Sequence, residues 1–126
     1  MAKILAVDDT KFARNRVVKP LEALGHHVIQ GENGEMGLQL FLQEKPELLI
    51  SDLLMPVMDG IEEVRRIREA GYETPVIIVS ADIQNSSREM CDELRVFAFL
   101  NKPFQEKELT DLVERALASV VEGVKQ

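Results

Sequence analysis

A chain of 126 residues is the size of one domain, and its 45% hydrophobic content supports a real core and excludes a disordered chain. Fifteen basic against 22 acidic residues leave a formal net charge of -7, which repels a nucleic-acid backbone. Cys91 is the only cysteine, so no internal disulfide can form, and no apolar run is long enough for a membrane helix or a signal-peptide core. A soluble cytoplasmic protein is the default expectation.

Lys3 to Val7 reads as a first strand that delivers Asp8 and Asp9 at its end. Thr10 has the character of a helix N-cap, and Phe12, Val17, Leu21 and Leu24 mark one helical face ending near Gly25. Pro20 lies inside that helix and cannot donate to the carbonyl of Arg16, which predicts a kink or a widened turn. His27 to Gly31 is a second strand. Asn33-Gly34 signals a turn, and Met36, Leu40 and Phe41 form a modest stripe before Pro46 stops the helix. Leu48 to Ser51, apolar on both faces and therefore central, carries Asp52 at its end. Pro56 and Gly60 punctuate the turn that follows.

Ile61, Val64 and Ile67 recur at helical spacing up to Gly71. Val76 to Val79 is a continuously apolar fourth strand ending in Ser80. Ile83, Ser87, Met90, Cys91 and Leu94 give a fourth helix with a thinner stripe. Phe97 to Leu100 is the fifth strand, followed by Lys102-Pro103. The last helix has the cleanest pattern, Leu109, Leu112, Val113, Ala116, Leu117 and Val120. The domain is expected over residues 1-122, with 123-126 as a frayed tail.

Five strand-helix pairs with short connections predict a doubly wound α/β domain, a five-stranded parallel sheet covered by five helices. Open α/β sheets place their chemistry at the carboxyl ends of strands. Asp8, Asp9, Asp52, Ser80 and Lys102 all stand at such ends and converge on one crevice. Carboxylates gathered in one pocket repel one another, so a positive group must share the space. An oxygen-rich site of this kind suits Mg²⁺, which commonly shares its remaining positions with phosphate oxygens. Ser80 and Lys102 are suited to a developing phosphoryl group, and one carboxylate can be the nucleophile that forms an aspartyl phosphate. Asp52, alone at the end of the most central strand, is the better nucleophile, and the Asp8-Asp9 pair reads as the ion holder.

Val7-Asp8-Asp9, the stretch from Asp52 to Gly60, Ser80-Ala81 and Lys102-Pro103-Phe104 together resemble the receiver domain of two-component response regulators, over essentially the whole chain. The likeness is greatest to stand-alone chemotaxis-type receivers, whose fold is flavodoxin-like. This resemblance implies that Asp52 accepts a phosphoryl group from a phosphohistidine on a histidine kinase or phosphotransfer protein. It implies direct Mg²⁺ binding by Asp9 and Asp52, water-mediated binding by Asp8, and a ligand in the backbone carbonyl of Leu54. Lys102 would contact the phosphoryl group. Ser80 would move toward it and let Phe99, at the family's aromatic switch position, change rotamer. The output surface would be the face made by the fourth helix, fifth strand and fifth helix, where a downstream target protein binds; a phosphatase is a further partner of such domains.

Three positions depart from the family. Leu54 lacks the polar side chain that helps attacking water in some relatives, Asp82 stands where others vary, and Arg95 occupies a place usually held by Gly. Leu54 predicts a long-lived phosphorylated state. Arg95 predicts either a negative φ with a different helix end or left-handed strain.

Simpler readings exist for each residue taken singly. Strand-end acids often cap loops, a serine often serves a turn, and a lone lysine can be a solvated surface charge. His26 and His27 lack a third metal ligand, Cys91 reads as buried and inert, and Met55 and Met58 read as packing. Two other functional classes are a Mg²⁺-dependent hydrolase with an aspartyl nucleophile and a binding module that is never phosphorylated. A receiver of this length could bind a target directly as chemotaxis receivers do, pass the phosphoryl group along a relay, or be part of a longer chain.

Overall fold

Alternate residues of a strand point to opposite sides of a sheet, and here both sides are covered by helices. The structure, a computed structural model, describes residues 1–81 and 84–125, without the side chains of Asn85 and 121–125. Asp82, one of the departures from the family, and Ile83, expected on the fourth helix, lie outside the described residues, as does Gln126. The elements are β1 (Lys3–Val7), α1 (Lys11–Ala23), β2 (His27–Gly31), α2 (Gly34–Glu44), β3 (Leu48–Ser51), α3 (Gly60–Glu69), β4 (Val76–Ser80), α4 (Asn85–Glu93), β5 (Ala98–Asn101) and α5 (Glu106–Lys125). The bounds of α5 take in Gly123 to Lys125, which were expected in a tail.

The strands lie in the order β2-β1-β3-β4-β5 and every pairing is parallel. The chain reverses its direction of winding between β1 and β3, and the crevice outside their carboxyl ends is the place such a sheet offers a ligand. One face of the sheet presents Ile4, Ala6, Leu48, Ile50, Ile77, Val79 and Leu100 to α1 and α5. The other presents Leu5, Val7, Leu49, Val76 and Ile78 to α2, α3 and α4, where Phe41, Val64, Ile67 and Cys91 complete the core. Burial of this aliphatic surface, worth roughly 25 cal/mol per Å², makes the sheet a stiff base for the loops above it.

The helices agree with the sequence in existence and differ in facing. Thr10 caps α1 by accepting from the Ala13 amide at 3.2 Å, as expected. The buried face of α1 is Arg14, Val17, Val18 and Leu21. Phe12, expected on that face, is 77% exposed, and Leu24 is exposed at the C-cap. The helix runs through Pro20 to Ala23 without a break, because the carbonyl it deprives belongs to exposed Arg16, within reach of water. In α2, Asn33 is the N-cap and Gly34, Gly37 and Phe41 are buried, whereas Met36 is exposed. Phe97, expected to open the fifth strand, precedes β5, where its amide bonds the Val76 carbonyl at 2.8 Å.

Arg95 is left-handed, with φ 60°, so of the two expectations the left-handed one holds. Its guanidinium makes a paired contact with Glu73 at 2.8 and 2.9 Å. Arg68 secures the same corner by donating to the carbonyls of Tyr72, Thr74, Leu94 and Arg95. The end of α3, the start of β4 and the turn before β5 are thus tied to one side chain.

Candidate functional site

Where β1 ends, the backbone turns and aims Asp8 into the crevice. Its Oδ1 accepts from the Thr10 amide at 3.1 Å, which closes a local turn, and its backbone carbonyl accepts from Arg14 Nη1 at 2.7 Å. Arg14 Nε also donates to Gln30 Oε1 at 2.9 Å, so this buried arginine joins α1, β2 and the end of β1. Asp52 extends the neighbouring ladder: its amide donates to the Val7 carbonyl at 3.1 Å. Its Oδ1 then accepts from the Leu54 amide at 3.2 Å.

Lys102 follows β5 and is held by its own amide, which donates to the Ser80 carbonyl at 3.0 Å. The ammonium donates to Asp8 Oδ2 at 2.9 Å and to Asp52 Oδ2 at 2.8 Å. Burial pulls its pKa down, but the hydrogen bonds and charges of Asp52 and Asp8 more than reverse this, and the net shift is upward. Lys102 is therefore a fixed cation throughout the neutral range. Asp9 is exposed beside the buried pair, and one oxygen from each of Asp8, Asp9 and Asp52 lies within 4.8 Å of the others. Three carboxylates face one ammonium, which Asp8 and Asp52 share, so the cluster keeps an excess of negative charge.

The structure thus gathers Asp8, Asp9, Asp52 and Lys102 directly. Ser80 is fully buried at the end of β4, in register with Asn101 of β5. Phe99 stands apart from the cluster on β5, half-buried, with the Arg88 guanidinium of α4 4.6 Å from its ring centroid. That cation–π contact couples α4 to β5.

The loop after Asp52 is shaped by close approaches that only glycine permits. A Cβ on Gly60 would strike the Asp52 carbonyl, and a Cβ on Gly34 would strike that of Met58. The Gly60 amide donates to the Leu53 carbonyl at 2.9 Å, and Asp59 caps α3 by accepting from the Glu62 amide. Leu54 is 62% exposed, while Met55 packs against the core. Beside Lys102 lies a cleft of about 310 Å³ lined by Phe12, Ala13, Arg16, Ala81, Pro103 and Phe104.

Sequence reasoning missed the polar groups that support this site from behind. Arg14 shares the spacing of Val17, Val18 and Leu21, and that periodicity marked it as inward-facing. Glu63 likewise sits on the stripe of Gly60, Val64 and Ile67, and it is fully buried. Its Oε1 lies 2.8 Å from Ser51 Oγ.

A family model described as the response regulator receiver domain matches residues 4–114. Protein PilH of Pseudomonas aeruginosa is 32% identical over 120 residues, covering 94% of this chain and 99% of that protein. The response regulator receiver protein CpdR of Brucella abortus is 32% identical over 117 residues, covering 93% and 98%. Among solved structures, the chemotaxis response regulator CheY4 of Vibrio cholerae superposes with a TM-score of 0.84 at 30% identity, over 92% of this chain and 98% of that one.

Proposed function

From the premise that this chain belongs to the response regulator receiver domain family, and so has a phosphoacceptor signalling role, we propose that Asp52 is the acceptor. The supporting observation is the pair of contacts from Lys102 to Asp8 and Asp52, which orients the Asp52 carboxylate at the mouth of the crevice. A carboxylate oxygen of Asp52 attacks phosphorus in the phosphohistidine of a histidine kinase or phosphotransfer protein. A P–O bond forms as the P–N bond breaks, and the electron pair leaves with the ring nitrogen of a neutral imidazole. Lys102 then stabilises a phosphoryl oxygen, and Ser80 donates to another.

The crevice fits a hard dication, since its donors are all oxygen and it keeps an excess of negative charge. Mg²⁺ bound there would offset charge on the incoming phosphoryl group. Asp8 is committed to Lys102 and to the Thr10 amide, whereas Asp9 is exposed. This division supports Asp9, Asp52 and the Leu54 carbonyl as direct ligands, with Asp8 acting through water.

The chain is a reactant in its own phosphorylation and later hydrolysis rather than a turnover enzyme. The exposed ring of Phe12 and the cleft beside it suit an apolar side chain of the phosphodonor protein. Phosphorylation draws Ser80 toward the new group and shifts Phe99 between two poses, which alters the α4-β5-α5 surface that a target protein reads. The likeness to a chemotaxis regulator supports a chemotaxis-type output through direct target binding; a phosphorelay is the alternative.

Acetyl phosphate with Mg²⁺ should add one base-labile phosphoryl group at Asp52, found by mass spectrometry, and Asp52→Ala should take none. A folded wild type that stays unlabelled would overturn the proposal. Capture of the same target by labelled wild type but not by Asp52→Ala would establish the switched surface.

A further inference from the structure

Glu63 is fully buried in α3 and takes no part in the chemistry above. Its Oε2 has no hydrogen-bond partner among the described residues and fills the space where a side chain on Gly37 would begin. Its Oε1 lies 2.8 Å from Ser51 Oγ, and the same Oγ lies 3.0 Å from the backbone carbonyl oxygen of Asp52. A serine hydroxyl carries one hydrogen, and a carbonyl can only accept. If Glu63 were a carboxylate, Ser51 would face two pure acceptors and satisfy one. A neutral Glu63 satisfies both contacts: Oε1–H donates to Ser51 Oγ, and Ser51 donates to the Asp52 carbonyl. Burial pushes the Glu63 carboxyl up to about 8, with the Ser51 hydroxyl pulling weakly the other way, which agrees with a neutral acid at pH 7.

We propose that Glu63 is a positioning residue for the phosphoacceptor, acting as a buried neutral acid that orients Ser51 and, through it, the Asp52 carbonyl. This deepens, and rests on, the reading of Asp52 as acceptor. The carbonyl is held from two sides, by the Ser51 hydroxyl and by the close approach of Gly60. That grip fixes the peptide unit joining Asp52 to Leu53. The direction of the following backbone, and the Leu54 amide on Asp52 Oδ1, depend on it. The polarity of the relay also matters. An ionised Glu63 would claim the Ser51 hydrogen and release the carbonyl.

The test compares wild type with Glu63→Gln, Glu63→Leu and Ser51→Ala in two assays. In the unphosphorylated protein at pH 7, carbon-detected NMR should show the Glu63 side-chain carboxyl as a neutral acid. The Asp52 carbonyl resonance should move in Glu63→Leu and Ser51→Ala but little in Glu63→Gln, whose amide still donates to Ser51. With acetyl phosphate and Mg²⁺, Glu63→Gln should label Asp52 at close to the wild-type rate. The other two variants should fall by roughly five- to tenfold, as for a small misplacement of a reacting group.

Leucine removes a buried polar group, so Glu63→Leu should melt at or above the wild-type temperature. A structural role alone would make labelling follow stability, whereas a positioning role separates them. If Glu63→Leu does not fold, Ser51→Ala carries the same comparison. An ionised Glu63 at pH 7, or Ser51→Ala labelling at the wild-type rate, overturns the proposal. If wild type takes no label, the acceptor reading fails, and the NMR shifts still decide whether the relay exists.

Discussion

Val57 carries the clearest local strain near the site: a β-branched residue with φ 72° that is 76% exposed. Left-handed backbone costs an L-residue roughly 1–2 kcal/mol, and little packing is at stake in a side chain so open to solvent. Asn tolerates this conformation and keeps a Cβ, so Val57→Asn should stabilise the fold by about 0.5–1 kcal/mol in urea unfolding. A lower midpoint at unchanged slope would show that Val57 is held by contacts rather than strained. Leu54, in the same loop, places an exposed apolar side chain on a residue whose amide already serves Asp52 Oδ1. That amide survives substitution. Leu54→Asn adds a group able to orient water, and loss of the phosphoryl group should quicken several-fold. Equal or slower loss than in wild type would remove Leu54 as the cause of a long-lived state.

Helix α2 approaches α3 and β1 closely enough that Gly37 has no room for a side chain. A Cβ there would meet Glu63 Oε2, and would lie 2.8 Å from Val7 Cγ2. Gly37→Ala should destabilise the fold by about 1–3 kcal/mol, the usual range for overpacking. Adding Glu63→Ala should recover part of the loss, whereas strictly additive effects would place the two residues out of contact. The same helices show what was legible in the sequence. Strands are legible almost to the residue, because four of them carry unbroken or nearly unbroken apolar runs that end in, or lead straight into, polar residues. The gathering of Asp8, Asp9, Asp52 and Lys102 in one crevice is legible for the same reason, since each stands at or just after a strand end. Helix facing was less so. A stripe followed mainly through apolar residues takes in Phe12, Leu24 and Met36, which are exposed, and passes over Arg14, Gly37 and Glu63, which are buried. A polar residue with a buried partner breaks an apolar pattern while obeying its period. A glycine at a close approach leaves no hydrophobic signal at all.

Two linkages make these local features measurable through the stability of the entire fold. The acidic crevice exists only in the native chain, so Mg²⁺ should raise the unfolding temperature, by the equivalent of about 2.7 kcal/mol at a hundredfold excess over its dissociation constant. Asp9→Asn should blunt that response, and an unchanged Mg²⁺ effect would exclude Asp9 as a ligand. The second linkage is to protons. Glu63 rises from 4.5 to about 8 on folding, because burial outweighs the Ser51 contact. Between those values the native state keeps a proton that the unfolded chain has released, so stability must fall as pH rises through that window. Around Glu63 stand Ser51 of β3, Gly37 of α2 and Val7 of β1, none of which titrates in that range. The exposed acids with lowered pKa, Glu62 and Glu73, act below 4.5, and Lys102, raised above 10.5, acts in the alkaline range. Subtracting the profile of Glu63→Gln from that of wild type cancels every other group. The difference should decline with pH by an amount on the order of a few kcal/mol between about pH 5 and 8. A flat difference would mean that the carboxyl is ionised in both states, and the buried acid behind Asp52 would then be a carboxylate unable to donate to Ser51.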